Sequence, residues 1–122
     1  MTTLDFMECS QGQYIIREGD EGDCAYIVID GEVEVVKYKL EDKDVVIAVL
    51  GQNEIFGEMC LFEEESRRSA SVRVVSDKAK VMVIQRKYFQ SQMEGLPEGV
   101  RNIMKIIIDR LRRADYRIAI LC

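Results

Sequence analysis

The chain has no histidine, a single proline, and four cysteines, none of them in a Cys-x-x-Cys pair. With no imidazole, and with Cys9, Cys24, Cys60 and Cys122 scattered, a metal site has almost no ligands to draw on. The same absence leaves any acid–base chemistry to carboxylates with no evident partner site, which argues against an enzyme. Positive charge is in deficit: 17 Lys and Arg face 22 Asp and Glu, for a net charge of −5. Nucleic acid is therefore not expected as a partner, because phosphate contacts need a clustered basic face to release counterions. Residues 1–8 lack the basic start and apolar core of a signal peptide, and no apolar run approaches a membrane span. These absences point to a cytoplasmic protein with reduced thiols and no membrane partner.

What is present is an ordinary globular composition, 48% hydrophobic and 32% charged over 122 residues, without a low-complexity run. That length suits one domain with a real core, and is too short for a barrel plus a separate output module. Tyr14-Ile15-Ile16 reads as a short strand, and the acids and glycines of Arg17 to Asp23 as a tight turn. Cys24 to Ile29 reads as a buried strand, Asp30-Gly31 as a two-residue hairpin turn, and Glu32-Val33-Glu34-Val35 as a strand with one wet face. Leu40 to Asp44 is a polar turn, and the β-branched run Val45 to Leu50 suits a buried strand. Ile55-Phe56, Ala70 to Val74 and Lys80 to Ile84 add further strand segments. Short strands separated by regular turn signals imply a small all-β barrel or jelly roll.

One stretch carries chemistry. Gly57 permits a tight turn after Phe56, and Glu58-Met59-Cys60-Leu61-Phe62 can form a short helix whose first amides attract an anion. Arg68 can meet a phosphate with paired charge-assisted hydrogen bonds, while small Ser69, Ala70 and Ser71 let backbone N–H groups approach the same oxygens. Glu58, an acceptor, suits a sugar hydroxyl. The plainer alternative is an acidic loop, Glu63-Glu64-Glu65, paired with Arg67 and Arg68 at the surface.

The order Gly57-Glu58-Met59-Cys60-Leu61-Phe62-Glu63-Glu64, a short loop, then Arg68-Ser69-Ala70 resembles the phosphate-binding cassette of cyclic nucleotide-binding domains. The likeness is closest to the bacterial catabolite activator family, whose pattern runs Gly-Glu-Leu-Gly-Leu-Phe-Glu-Glu and then Arg-Ser-Ala. Met59 stands for its Leu and Cys60 for its second Gly. Gly22-Asp23, Tyr26 and Val28-Ile29-Asp30-Gly31-Glu32-Val33 match a second family segment, with Val28 in place of Ile. The resemblance implies an eight-stranded jelly roll in which Glu58 binds the ribose 2′-hydroxyl, Arg68 the cyclic phosphate, and Ser69 adds its hydroxyl and amide. Phe56, Gly57, Met59, Cys60, Ala70 and Ser71 complete the expected ligand-binding set. Ser69 occupies a position where the family uses Ala in many cyclic AMP sites, Ser in the catabolite activator and Thr in many cyclic GMP sites. Cyclic AMP is the expected ligand, with cyclic GMP the alternative.

From Arg86 the hydrophobic period changes. Lys87 to Met93 can form a short helix, Gly95-Leu96-Pro97 breaks it, and Glu98 to Leu121 carries a helical apolar stripe. Val100, Met104, Ile107, Leu111, Ala114, Ile118 and Leu121 fall alternately four and three apart, the spacing of a heptad seam suited to a homodimer. Ile103, Ile106, Ile108 and Ile120 lie off that seam and offer a second surface to pack on the barrel. The alternative is a single helix docked on its own barrel through both surfaces. In the catabolite activator family the corresponding helix pairs with its twin and also caps the base; aligned here, Ala114 and Asp115 replace the Thr and Ser that contact it.

The expectation is a mainly β, eight-stranded jelly-roll barrel with flanking short helices and a long C-terminal helix. Residues 1–97 would hold the barrel, the cassette at 56–72 and the short helix, and 98–122 the long helix. The expected function is that of a stand-alone regulatory module binding a cyclic nucleotide and signalling to a downstream protein by moving its last helix. A ligand-free structural or protein-interaction module on the same fold is the alternative.

Overall fold

The computed structural model describes residues 5–39, 43–62 and 67–114, with backbone only at 39 and 111–114. Among the described residues there are eight strands: β1 Asp5–Ser10, β2 Tyr14–Ile16, β3 Cys24–Asp30, β4 Val33–Lys39, β5 Lys43–Leu50, β6 Ile55–Phe56, β7 Ser71–Val74 and β8 Lys78–Gln85. They form two antiparallel four-stranded sheets, in the orders β1-β8-β3-β6 and β2-β7-β4-β5. The sheets face each other as a jelly roll, and α1 (Arg86–Gly95) and α2 (Glu98–Ala114) follow. Val28 and Val81 from one sheet, Val33, Val35 and Val72 from the other, and Phe56 are fully buried between them. Each such side chain contributes roughly 1.5 to 3 kcal/mol on leaving water.

Several expectations change. The Asp30-Gly31 turn is not a hairpin, because β3 pairs with β6 and β8 whereas β4 pairs with β5 and β7. The turn hands the chain from one sheet to the other, and Gly31 (φ 86) passes so close to the backbone at Lys78 and Ala79 that a Cβ there would collide. Glu32 locks onto the β7–β8 turn, its N–H donating to Ser76 Oγ at 2.9 Å and its carbonyl accepting from Val75 N at 3.0 Å. The β-branched run in β5 is not buried: β5 is an edge strand, and Val46, Ile47 and Val49 are exposed. Lys43 and Asp44 belong to β5 and not to a turn, while the rest of the anticipated turn, 40–42, lies outside the described residues. In β4 the register shifts between Val35 and Val36, so both valines are buried and strict alternation ends there. The edge strand β1 was not anticipated; it buries only Cys9 and leaves Phe6 exposed, so its sequence has no clear period.

The short helix runs over 86–95, slightly longer than expected. Leu96 is extended, as the residue before Pro97 favours, and the chain turns into α2. Arg101 braces that corner, donating through Nη1 to Glu94 O at 3.2 Å. Contrary to expectation, Ile103 and Ile106 do not pack on the barrel; with Val100, Met104 and Ile107 they are 38% to 58% exposed. A cavity of about 800 Å³ separates α1 from α2, with Phe62, Phe89 and Met93 facing Ile106 and Ile108. Leu111 and Ala114 lie on the helix without described side chains, and Asp115, Ile118, Ile120 and Leu121 lie outside the described residues.

Candidate functional site

β6 ends at Phe56, which is buried and stacks on Tyr26 with ring centroids 5.1 Å apart. Gly57 then takes a left-handed conformation (φ 72), and Glu58–Leu61 forms one 3-10 turn. The glycine is required twice over, since a Cβ would also stand 2.7 Å from Arg68 Nη1 and 2.9 Å from Ile16 Cδ1. Cys60, which replaces the family's glycine, has no positive φ; its side chain is fully buried and donates through Sγ to Gly57 O at 3.1 Å. A small side chain therefore fits where a glycine was the expected residue.

Arg67 and Arg68 part company. Arg68 N donates to Asp20 O and Gly19 N to Arg68 O, each at 2.8 Å, which clips this segment to the β2–β3 turn. Arg67 points outward, its side chain 70% exposed, and pairs with Glu21 at 3.5 Å. Arg68 points inward and is 5% exposed. Its Nη1 donates to Gly57 O at 3.0 Å and its Nη2 to Cys24 O at 2.6 Å. Gly22 lies flat against this guanidinium, and a Cβ on it would collide with Cζ and Nε. A planar fork with five donors can hold two carbonyls and still present N–H groups to an oxyanion. Glu63, Glu64 and Glu65 lie outside the described residues.

The other expected residues divide. Glu58 is half-buried in the turn beside this arginine pocket, with Oε2 closed off from solvent, and Met59 is also half-buried. Ser69 is half-buried just past Arg68, whereas Ala70 is in the barrel core. Ser71 starts β7, and its Oγ accepts from Glu18 N at 2.9 Å, a bond that ties the β2–β3 turn down.

Two residues that touch Arg68, Gly22 and Cys24, were not singled out for the site from sequence, nor was Arg86, which braces the backbone around that corner. Gly22 reads as one turn glycine among several, and Cys24 contributes only a backbone carbonyl. Arg86 sits at the junction of β8 and α1, where only a change of period marks it. It donates through Nε to Cys60 O at 2.5 Å and through Nη2 to Gly22 O at 2.9 Å. Burial, then a hydrogen bond to Asp23, pushes the Cys24 thiol up to about 12, and burial raises Cys60 despite the opposing charge of Arg68. Among the described residues, no group of three or more His, Cys, Asp or Glu is placed to hold a metal, and no helix is long and apolar enough to cross a membrane.

The family model of the cyclic nucleotide-binding domain matches residues 6–95, from β1 to the end of α1. The chain belongs to this family. As a cyclic nucleotide-binding domain, it is 33% identical over 111 residues to the cyclic AMP receptor protein of Thermus thermophilus, covering 91% of this chain and 50% of the relative. Among solved structures, the half-site-occupied form of the EAL enzyme Bd1971 superimposes with a TM-score of 0.78 at 32% identity, over 91% of this chain and 97% of that one. The cyclic GMP-bound form of Bd1971 gives a TM-score of 0.70 at 32% identity, over 89% of this chain and 28% of that one. The domain spans about half the length of the curated relatives it matches first.

Proposed function

We propose that this domain binds a cyclic nucleotide at Arg68, and that it regulates rather than catalyses. The observation that carries this reading is the inward turn of Arg68: a guanidinium 5% exposed, pressed between Gly22 and Gly57 and steered by two backbone carbonyls. A buried cation with its plane fixed is pre-ordered for a phosphate. Glu58, in the adjoining turn, takes the ribose 2′-hydroxyl, and Ser69 adds its hydroxyl and amide. Relatives support the ligand class, since one is named as a cyclic AMP receptor and Bd1971 has cyclic AMP-bound and cyclic GMP-bound forms. Cyclic AMP is the preferred ligand in this reading. Calorimetry with cyclic AMP and cyclic GMP tests it: tighter cyclic GMP binding abolished by Ser69→Ala overturns the preference, and no binding of either overturns the function in favour of a ligand-free interaction module.

Signalling runs through the helices, and the domain works as a cytoplasmic homodimer addressing a downstream protein, without nucleic acid or membrane contacts of its own. The exposed Val100, Met104 and Ile107 support the dimer, since they fall on the heptad seam and are not covered by the barrel. A ligand shifts the helices only by its difference in affinity between their two poses.

A further inference from the structure

Arg86 opens α1, a helix whose start has no side-chain cap. Its backbone N–H donates to Asp23 O at 2.8 Å, its Nε to Cys60 O at 2.5 Å and its Nη2 to Gly22 O at 2.9 Å. Nε–H and Nη2–H lie parallel on one edge of a rigid fork, so they set the Cys60 and Gly22 carbonyls side by side. Those two carbonyls come from the segments that enclose Arg68: Gly22 lies against its guanidinium, and Cys60 is in the turn that follows Gly57. A second link from this turn toward α1 is apolar, through Cys60, Leu61, Phe62, Ile84 and Phe89, including an edge-on ring contact at 5.6 Å. Apolar packing has no preferred direction, whereas a fork on two carbonyls fixes the orientation of both acceptors.

We infer that Arg86 is the positioning residue that carries a change at the phosphate cassette into α1. When a phosphate engages Arg68, the 3-10 turn shifts against Gly22, the fork of Arg86 follows or lets go of one carbonyl, and the first turn of α1 moves with it. Arg86 does this without touching the ligand. The inference rests on the reading of Arg68 as the phosphate anchor.

The test is amide hydrogen exchange over residues 86–95 with and without saturating cyclic AMP, alongside calorimetry, in the wild type, Arg86→Gln and Arg86→Lys. The wild type should bind and change its exchange in α1. Arg86→Gln should keep a Kd within about tenfold of wild type, the loss expected for a contact outside the ligand shell, yet lose the ligand-dependent change. Arg86→Lys, with charge but no fork, should show a reduced change, and it supplies the comparison if the Gln variant does not fold. A brace of purely structural importance would raise exchange equally in both states and preserve their difference, which overturns the inference. So does loss of binding as complete as in Arg68→Ala. Failure of the wild type to bind any cyclic nucleotide overturns the cassette reading and this relay with it, whereas failure confined to the Arg86 variants overturns the relay alone.

Discussion

Arg68 and Arg86 bridge the same two stretches of backbone, Arg68 joining Cys24 O to Gly57 O and Arg86 joining Gly22 O to Cys60 O. The two guanidiniums cross-brace residues 22–24 against residues 57–60, with Gly22 between them, touching Arg68 and accepting from Arg86. A hydrogen bond with a charged donor contributes about 1.5 to 3 kcal/mol, so these four hold the two stretches against each other. The charge at the site is thus prepared by backbone carbonyls.

Arg68→Ala should weaken cyclic nucleotide binding by ~2 to 5 kcal/mol, the usual cost of truncating one partner of a buried charge pair. Arg67→Ala should change it by less than about 1 kcal/mol, because its pair with Glu21 is solvent-exposed. Calorimetry on both variants checks this, and equal losses would place the phosphate elsewhere.

Two glycines should fail in different ways. Gly22→Ala puts a methyl group into the Arg68 guanidinium, so affinity should fall by at least about tenfold while the barrel stays folded. Gly31→Ala meets rigid backbone at Lys78 and also sits at positive φ, so it should cost about 2 to 5 kcal/mol of stability. Urea unfolding and calorimetry on each variant separate the two outcomes; a Gly22→Ala protein that binds normally would show that Arg68 need not stay where it is.

Stability should fall on the alkaline side. Cys24 is pushed up to about 12 from an ordinary 9.0, so the folded state holds this proton more tightly than the unfolded chain. The resulting stabilisation is complete below about pH 9 and is lost as pH rises from there toward about 12. Cys9 and Cys60 shift in the same direction. Cys24→Ser should therefore flatten the decline of the urea midpoint above about pH 9 without abolishing it. Identical slopes in the two proteins would show that Cys24 does not titrate differently on folding.

The dimer should form through α2. Ile107→Asp, at an exposed seam position, would set like charges face to face, and their desolvation should cost roughly several kcal/mol and split the dimer with the barrel's melting temperature unchanged. Sedimentation equilibrium on wild type and variant decides; a monomeric wild type at micromolar concentration rules the dimer out.

Local pattern by itself determined much of this protein. The apolar run of β3, alternation at the start of β4, the turn glycines and the change of period at Arg86 were enough for a small β-barrel with helices at its end, because side-chain period depends on backbone geometry alone. The order Gly57-Glu58 then Arg68-Ser69-Ala70 marked, by resemblance, the stretch that folds around the buried Arg68. The resemblance picked Arg68 over its neighbour, and tertiary structure supplies the reason: residues 19 and 20 clip the backbone at Arg68 and leave Arg67 outside. It also decided that β3 and β4 belong to different sheets and that β5 lies at an edge, since pairing partners are chosen by the whole barrel and β-branched residues suit either position. Arg86 was out of reach for the same reason: its carbonyl partners at Gly22 and Cys60 are 64 and 26 residues away in the chain, and a backbone acceptor carries no side-chain identity for a sequence to display.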